Sequence, residues 1–282
     1  MSFTLIQQLR LAHALSESAF TIVIPKSESS KFTLLKEKFG MQVLVGASGD
    51  VQISKYIRMS HDEPSTSIGE LNRPLIFPHS ITKYCRTQWR SNREHRYSFA
   101  GLVTPNRKEL IGNWIKSNIT TRTIRLPSQT SLISKLKRRL FSLTGHDETQ
   151  RKQVGSLMFW SSTRGRSFPI KSWDDDYFDV LSNSQFVLCP SGDYVWSYRF
   201  FESILCGAIP IVEKGCNAYQ GFRFLNFQDK VKDARWSEED AEHNYNLCVE
   251  KITLPEDQLN EELARLANLD KAANSGIYPE TP

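Results

Sequence analysis

The sequence predicts an α/β protein built on a parallel sheet, and three observations carry that prediction. The first is the stretch from Phe186 to Val212. There an apolar run (Phe186–Cys189), a Pro190-Ser191-Gly192-Asp193 turn, a helical pattern (Tyr198–Leu205) and a second apolar run (Ile209–Val212) follow one another. Strand, turn, helix and strand in that order are the repeating unit of a parallel sheet. The second is an N-terminal half that alternates strand-like and helix-like segments over short connections. The third is bulk: 282 residues, 39% hydrophobic and 24% charged, suffice for one large or two modest cores.

Taken in order, Thr4 to Ala14 spaces Leu5, Ile6, Leu9, Leu11 and Ala12 as a helix. Phe20 to Ile24 reads as a strand stopped by Pro25, Glu28 to Phe39 as a helix closed by Gly40, and Met41 to Val45 as a second strand. Leu75 to Phe77 reads as a third strand, and Ser80 to Arg93 as a helix carrying Lys83, Arg86, Arg90 and Arg93. In the second half Ser98 to Leu102 is a strand, Asn106 is placed to cap a helix from Arg107 to Ser117, Gly145 to Gln153 is a polar loop, and Leu157 to Ser161 is a strand. Asp174, Asp175 and Asp176 precede Tyr177, Phe178, Val180 and Leu181, where acidic residues favour a helix start, and are read as helix charges rather than metal ligands. Ser197 is placed as N-cap and Gly207 as stop of the Tyr198–Leu205 helix. That helix sets Phe200, Phe201, Ile204 and Leu205 on one face and Arg199, Glu202, Ser203 and Cys206 on the other. Trp236 to Val249 and Pro255 to Leu266 read as closing helices. The expected division is a reduced N-terminal domain over 1–94, a C-terminal domain over 95–270 and a frayed tail over 271–282.

Composition narrows the function. With 36 basic against 31 acidic residues, a net charge of +5 favours anionic ligands without demanding nucleic acid. Five scattered cysteines with no CxxC pair argue for a reducing compartment and against a disulfide framework or a zinc site. No stretch approaches the roughly 18 apolar residues of a membrane span, and the N-terminus lacks a signal core, so a cytoplasmic location is expected. Weaker motifs take ordinary readings. The Gly46–Asp50 turn lacks the residues of a P-loop, and His61, Asp62 and Glu63 form a polar loop cluster. The basic segment Ser131–Leu143, whose charges would suit nucleic acid or an anionic membrane surface, is read as an exposed helix face, with no nucleic acid expected and peripheral membrane contact left open. Thr163, Arg164, Gly165 and Arg166 follow a strand as a turn.

One arrangement points to an anion. A turn at the carboxyl end of a parallel strand, leading into a helix N-terminus, presents backbone N–H groups and a positive dipole end. Arg199 stands in that first turn, where only an anion makes a cation favourable, and Glu202 shares its face as an acceptor for a ribose diol. The competing reading is a surface Arg/Glu pair worth about 0.2–0.5 kcal/mol. Gly101, followed by Arg107 and Lys108, repeats the strand, glycine turn and helix arrangement.

The segments SQFVLCPSG and SYRFFESILCGAIPIV together resemble the most characteristic stretch of the exostosin-like glycosyltransferases, family GT47, and RYSFAG at Arg96–Gly101 resembles that family's Phe-x-Gly strand. Ser203 stands where the family most often has alanine. The resemblance implies the GT-B fold, two Rossmann-like domains facing a cleft, with the N-terminal one reduced here. It also implies an inverting transfer from a nucleotide-sugar donor, a UDP-sugar favoured, to a glycan or glycolipid acceptor, with no cofactor and no bound metal. Donor-binding residues are then Gly101, Arg107, Pro190, Ser191, Gly192, Ser197, Arg199 and Glu202. Candidates for the general base are His79, at the end of an expected strand, and Asp62 and Glu63. DYVWSYRFFESILCGAIPIV also resembles the fucosyltransferase-like users of GDP-sugars, without their Glu-Asn and Glu-Lys pairs. A binding module that kept the pocket and lost turnover is the alternative outside the enzymes.

Overall fold

The computed structural model describes residues 2–46, 49, 51–119, 149–162 and 166–275. The chain forms two compact units, one from residues 1–84, 168–173 and 249–282, the other from 85–167 and 174–248. Part of the Gly46–Asp50 turn, the basic segment Ser131–Leu143, Thr163 to Gly165 and the end of the tail lie outside the described residues.

The first unit begins with α1 (Ile6–Ser16), β1 (Val23–Ile24), a 3-10 helix (Lys26–Phe32), α2 (Thr33–Phe39) and β2 (Leu44–Val45). The helix expected over Glu28–Phe39 is thus half 3-10. Ser29 and Thr33 hydroxyls donate to the carbonyls of Lys26 (2.9 Å) and Ser30 (3.0 Å), competing with the α-helical ladder. The small parallel sheet expected here shrinks to the β1–β2 pair. The larger sheet of this unit is an antiparallel meander that the sequence reading missed, β3 (Ile57–Ser60), β4 (Ser65–Ile68) and β5 (Leu71–Arg73). Leu75, Ile76 and Phe77 are buried but form no strand. Pro74 and Pro78 flank them and have no N–H to give a ladder, and the Phe77 N–H goes instead to the Ile252 carbonyl, 2.7 Å away.

α3 (His79–Thr87) follows, and Glu17, just past α1, supplies its cap: its carboxylate accepts the backbone N–H groups of His79 (2.6 Å) and Ser80 (2.9 Å). Leu11 and Leu15 of α1, with Ile68 and Ile76, form a core with Leu254, Leu259, Leu263 and Leu266. The last three belong to a helix over Glu256–Ser275, so this C-terminal helix serves the first unit and runs past residue 271 as regular structure.

The second unit is built on β6 (His95–Leu102), β7 (Thr149–Val154), β8 (Leu157–Ser162), β9 (Ser184–Cys189), β10 (Ile209–Val212) and β11 (Leu225–Asn226). They form one sheet in the order β11-β10-β9-β6-β8-β7, parallel except for the antiparallel edge strand β7. β7 occupies part of the expected Gly145–Gln153 loop. Its sequence, TQRKQV, is polar as an edge strand tolerates. The helices are α4 (Pro105–Asn118), α5 (Asp175–Ser182) and α6 (Tyr198–Leu205). α7 (Glu238–Ile252) and α8 (Glu256–Ser275) close the chain. Tyr97, Phe99, Ile111, Trp114, Ile115, Phe159, Phe186, Leu188 and Ile211 pack the core on one face of the sheet.

The unit begins at residue 85 rather than 95 for a visible reason. Arg93 is buried within it, and its guanidinium donates to the carbonyls of Ser182 (2.9 Å), Ser184 (2.9 Å) and Cys206 (3.1 Å). The strand order also fixes where a ligand can bind. From β6 the chain builds outward to β8 on one side, then returns to add β9, β10 and β11 on the other. The order therefore reverses between β6 and β9, and the carboxyl ends of those two strands frame the crevice of a doubly wound sheet.

Candidate functional site

Two arginines converge on that crevice. Arg107 sits in the first turn of α4, whose N-cap is Thr104 rather than the expected Asn106. Pro105 takes the first helical position, and the Thr104 hydroxyl accepts the Arg107 N–H at 3.3 Å. The Arg107 side chain bridges the two strand ends, Nε donating to the Ser191 carbonyl (3.0 Å) and Nη1 to the Leu102 carbonyl (3.1 Å). Gly192 makes room for it, since a Cβ there would lie 2.5 Å from Nη2.

Arg199, in the first turn of α6, is 8% exposed. Its Nε donates to the Ala100 carbonyl at 2.6 Å and its Cζ lies 4.6 Å from the centroid of the Phe99 ring. Gly101 has φ of +148°, and a side chain there would run into the Arg199 guanidinium. The two glycines of the sequence motifs thus serve the two arginines.

Burial, and next the positive charge of Arg199, lower the Arg107 pKa to about 10, which leaves it charged at neutral pH. Among the described residues neither arginine forms an ion pair with a carboxylate, and Arg199 Nη1 is buried without a hydrogen-bond partner. Ser197, the N-cap of α6, is 9% exposed. Ser161, which sequence reasoning missed, stands opposite Gly101 in the β6–β8 register with its buried hydroxyl also unpartnered. A hydroxyl at the end of an apolar strand was the available signal.

One expectation is corrected. The Gly192 turn does not offer its amide to a phosphate, because the Gly192 N–H donates to the Tyr194 carbonyl at 3.1 Å and the Ser197 N–H to the Tyr219 hydroxyl at 2.9 Å. Pro190 ends β9 and has no N–H, and Ser191 contributes its carbonyl to Arg107. The positive groups at the crevice are therefore guanidinium groups more than backbone dipoles.

Glu202 is 2% exposed, so the surface-pair reading of Arg199 and Glu202 fails. Its Oε2 accepts from the Tyr177 hydroxyl at 2.7 Å. Tyr177 lies in α5, where Asp174 is the N-cap and accepts the Tyr177 N–H at 3.1 Å, as the helix-start reading of the three aspartates expects. Burial, then the negative charge of Glu202, raise the Tyr177 pKa well above its ordinary value, so the phenol stays a donor. Arg166, which also pairs with Asp174 at 3.7 Å, places its Cζ 4.2 Å from the centroid of the Tyr177 ring.

The base candidates lie in the first unit and do not come together. Asp62 and Glu63 occupy the exposed turn between β3 and β4 and, among the described residues, form no hydrogen bond or ion pair. His79 opens α3, with Nε2 2.8 Å from the Leu254 carbonyl. That contact assigns the proton to Nε2 and leaves Nδ1 as the basic nitrogen. Among the described residues no group of three or more His, Cys, Asp or Glu side chains is placed to hold a metal, and no helix is long and apolar enough to cross a membrane.

The second unit is thus a mostly parallel α/β sheet with two arginines at its switch point, neither in an ion pair among the described residues. The family model of the Exostosin GT47 domain matches residues 21–231. The chain therefore belongs to the exostosin GT47 glycosyltransferases, and its fold is mixed α/β with a six-stranded, mostly parallel sheet. No curated protein sequence matches it significantly. Among solved structures it is similar to Anabaena Alr3699/HepE in complex with UDP and glucose, at 11% identity and a TM-score of 0.36, over 94% of this chain and 67% of that one.

Proposed function

We propose that this glycosyltransferase moves a hexosyl or pentosyl group, with inversion and without a bound metal, from a UDP-sugar to a hydroxyl of a glycan or glycolipid. The observation that carries the proposal is the Arg107–Arg199 pair at the switch point, held by backbone carbonyls and in no ion pair among the described residues. Two buried like charges side by side are unfavourable until an anion joins them, and breaking a sugar–phosphate bond builds negative charge on the leaving diphosphate. Opposite unit charges 4 Å apart attract by roughly 4 kcal/mol near a protein surface, so two guanidinium groups supply electrostatic help of the size a divalent cation would otherwise give. Glu202 is the acceptor for the donor's ribose diol, and the Ser197 and Ser161 hydroxyls are further donors to phosphate oxygens. Inversion requires a general base for the acceptor hydroxyl. His79 through Nδ1, Asp62 and Glu63 are the candidates. The free cysteines, four of them buried, suit a reducing cytoplasm.

The test is a thermal-shift series with UDP, GDP, CMP and ADP in EDTA and again in Mn²⁺, followed by release of nucleotide from the matching sugar donors. A ligand at one hundred times its Kd stabilises a protein by about 2.7 kcal/mol, which is readily seen. A shift with UDP in EDTA, together with UDP release, is expected. Stabilisation without turnover would make the chain a binding module, and a shift only in Mn²⁺ would overturn metal independence.

A further inference from the structure

The first unit holds a cavity none of whose lining residues belongs to the donor set. It measures about 330 Å³, within the range of about 300–1,000 Å³ that small-molecule sites occupy. It lies at the carboxyl ends of the parallel pair β1–β2, because Pro25, directly after β1, and Gly46, directly after β2, both line it. Ligands of parallel sheets bind at that end. Its walls include Leu11, Ala12 and Leu15 of α1, Val23 and Ile24 of β1, and Ile57 of β3. Every lining side chain is apolar except Gln52 and Ser54, and both of those are exposed. Water inside would find few side-chain partners, whereas a roomy apolar cavity takes apolar guests.

The rim shows what kind of guest fits. β2 pairs Leu44 with Val23 and Val45 with Ile24, so its two residues border the cavity wall directly. Both are apolar and exposed, at 60% and 46%, although successive strand residues point to opposite faces. Proteins usually blunt an open strand with charge, and here the strand is left apolar from solvent to cavity. A flat protein surface would cover Leu44 and Val45 without filling the space behind them. A flexible hydrocarbon chain does both, and about ten methylene groups, each close to a water molecule in size at roughly 30 Å³, match the volume. We propose that this cavity seats the hydrocarbon chain of a lipid-linked acceptor. The proposal rests on the transfer to an acceptor hydroxyl proposed above and narrows that acceptor to a glycolipid.

The experiment titrates the protein calorimetrically, without nucleotide, with maltose and with hexyl, octyl and decyl maltoside, each below its micelle concentration. Affinity is expected to rise about fourfold per added methylene until the cavity is filled, the fold-change for burying one CH₂ group, with maltose binding weakest. Equal affinities of hexyl and decyl maltoside overturn the proposal. Ala12→Leu, which fills the cavity from α1, is expected to abolish the dependence on chain length and to leave UDP affinity unchanged. A dependence that persists in this variant places the chain elsewhere and overturns the proposal. If Ala12→Leu does not fold, the combined Leu44→Ser and Val45→Ser variant decides, since both positions are exposed. Several-fold weaker binding of decyl maltoside supports the proposal, and unchanged affinity overturns it. A molecular mass by light scattering that halves in that variant assigns the rim to a second copy and overturns it as well. Should the wild type bind in proportion to chain length yet release no nucleotide from any UDP-sugar with decyl maltoside as acceptor, the failure lies in the proposed reaction and the chain site stands.

Discussion

Gly101→Ala should cost the protein stability and nucleotide affinity through one collision. At φ of +148° the residue occupies a backbone region that side chains rarely adopt, and a Cβ built there strikes the end of the Arg199 guanidinium and lies 3.3 Å from its Cζ. Holding a residue with a side chain in such a region costs about 1–3 kcal/mol, which sets the expected loss of folding stability. The collision is relieved by moving Arg199, and that breaks its 2.6 Å bond to the Ala100 carbonyl and withdraws the guanidinium from the crevice. A hydrogen bond to a charged group is worth about 1.5–3 kcal/mol, so UDP should bind roughly ten to a hundred times more weakly. Urea denaturation and calorimetric titration on the same preparation measure the two effects. Gly40→Ala is the control, because Gly40 has φ of +64° but a Cβ there meets nothing within 4 Å; it should lose stability and keep its affinity. A folded Gly101→Ala variant that binds UDP like the wild type would refute the coupling of this glycine to Arg199.

Three further outcomes follow from other parts of the structure. Gly192→Ala should weaken UDP by about tenfold by displacing Arg107, and an equilibrium titration that finds no change would remove Gly192 from the site. Burial, then the charge of Arg10, lower the His13 pKa to about 3 from 6.5. The unfolded chain therefore takes up a proton that the folded chain refuses. Stability should fall as pH drops from about 6.5 toward 3, by up to about 1.4 kcal/mol per pH unit from this group. Urea midpoints against pH should show a shallower slope in His13→Gln, and identical slopes would exclude His13 as a source. Burial raises the Cys189 thiol to about 12, and Cys85, Cys206 and Cys248 are also buried. Mass spectrometry after iodoacetamide should find Cys216 labelled in the native protein and all five cysteines in urea; native labelling of Cys189 would contradict the packing at the end of β9.

Sequence reasoning reached furthest where the signal is local. Tyr198–Leu205 and Ile209–Val212 were legible to the residue, because continuous apolar runs are punctuated by Pro190 and Gly207. Gly101, Arg107, Gly192 and Arg199 were legible as site candidates, but not the division of labour among them. Arg107 finds its carbonyls at Leu102 and at Ser191, 84 positions away, and only the adjacency of β6 and β9 brings those together. The same holds for Tyr177 and Glu202, which belong to different helices. In the first unit the meander was missed because Ile57, Met59, Thr66, Ile68 and Leu71 alternate over runs of only three or four residues, too short to stand out from loops. Leu75–Phe77 misled in the opposite sense, being apolar and buried without pairing to a strand.

The most direct test of the account is the Kd of UDP, measured by calorimetry in EDTA, for wild type and Arg199→Ala. The arginine pair predicts binding by the wild type without metal, and a loss of about 1.5–3 kcal/mol in the variant at unchanged fold. Equal affinity of the two proteins would contradict the assignment of the β6–β9 crevice as the donor site.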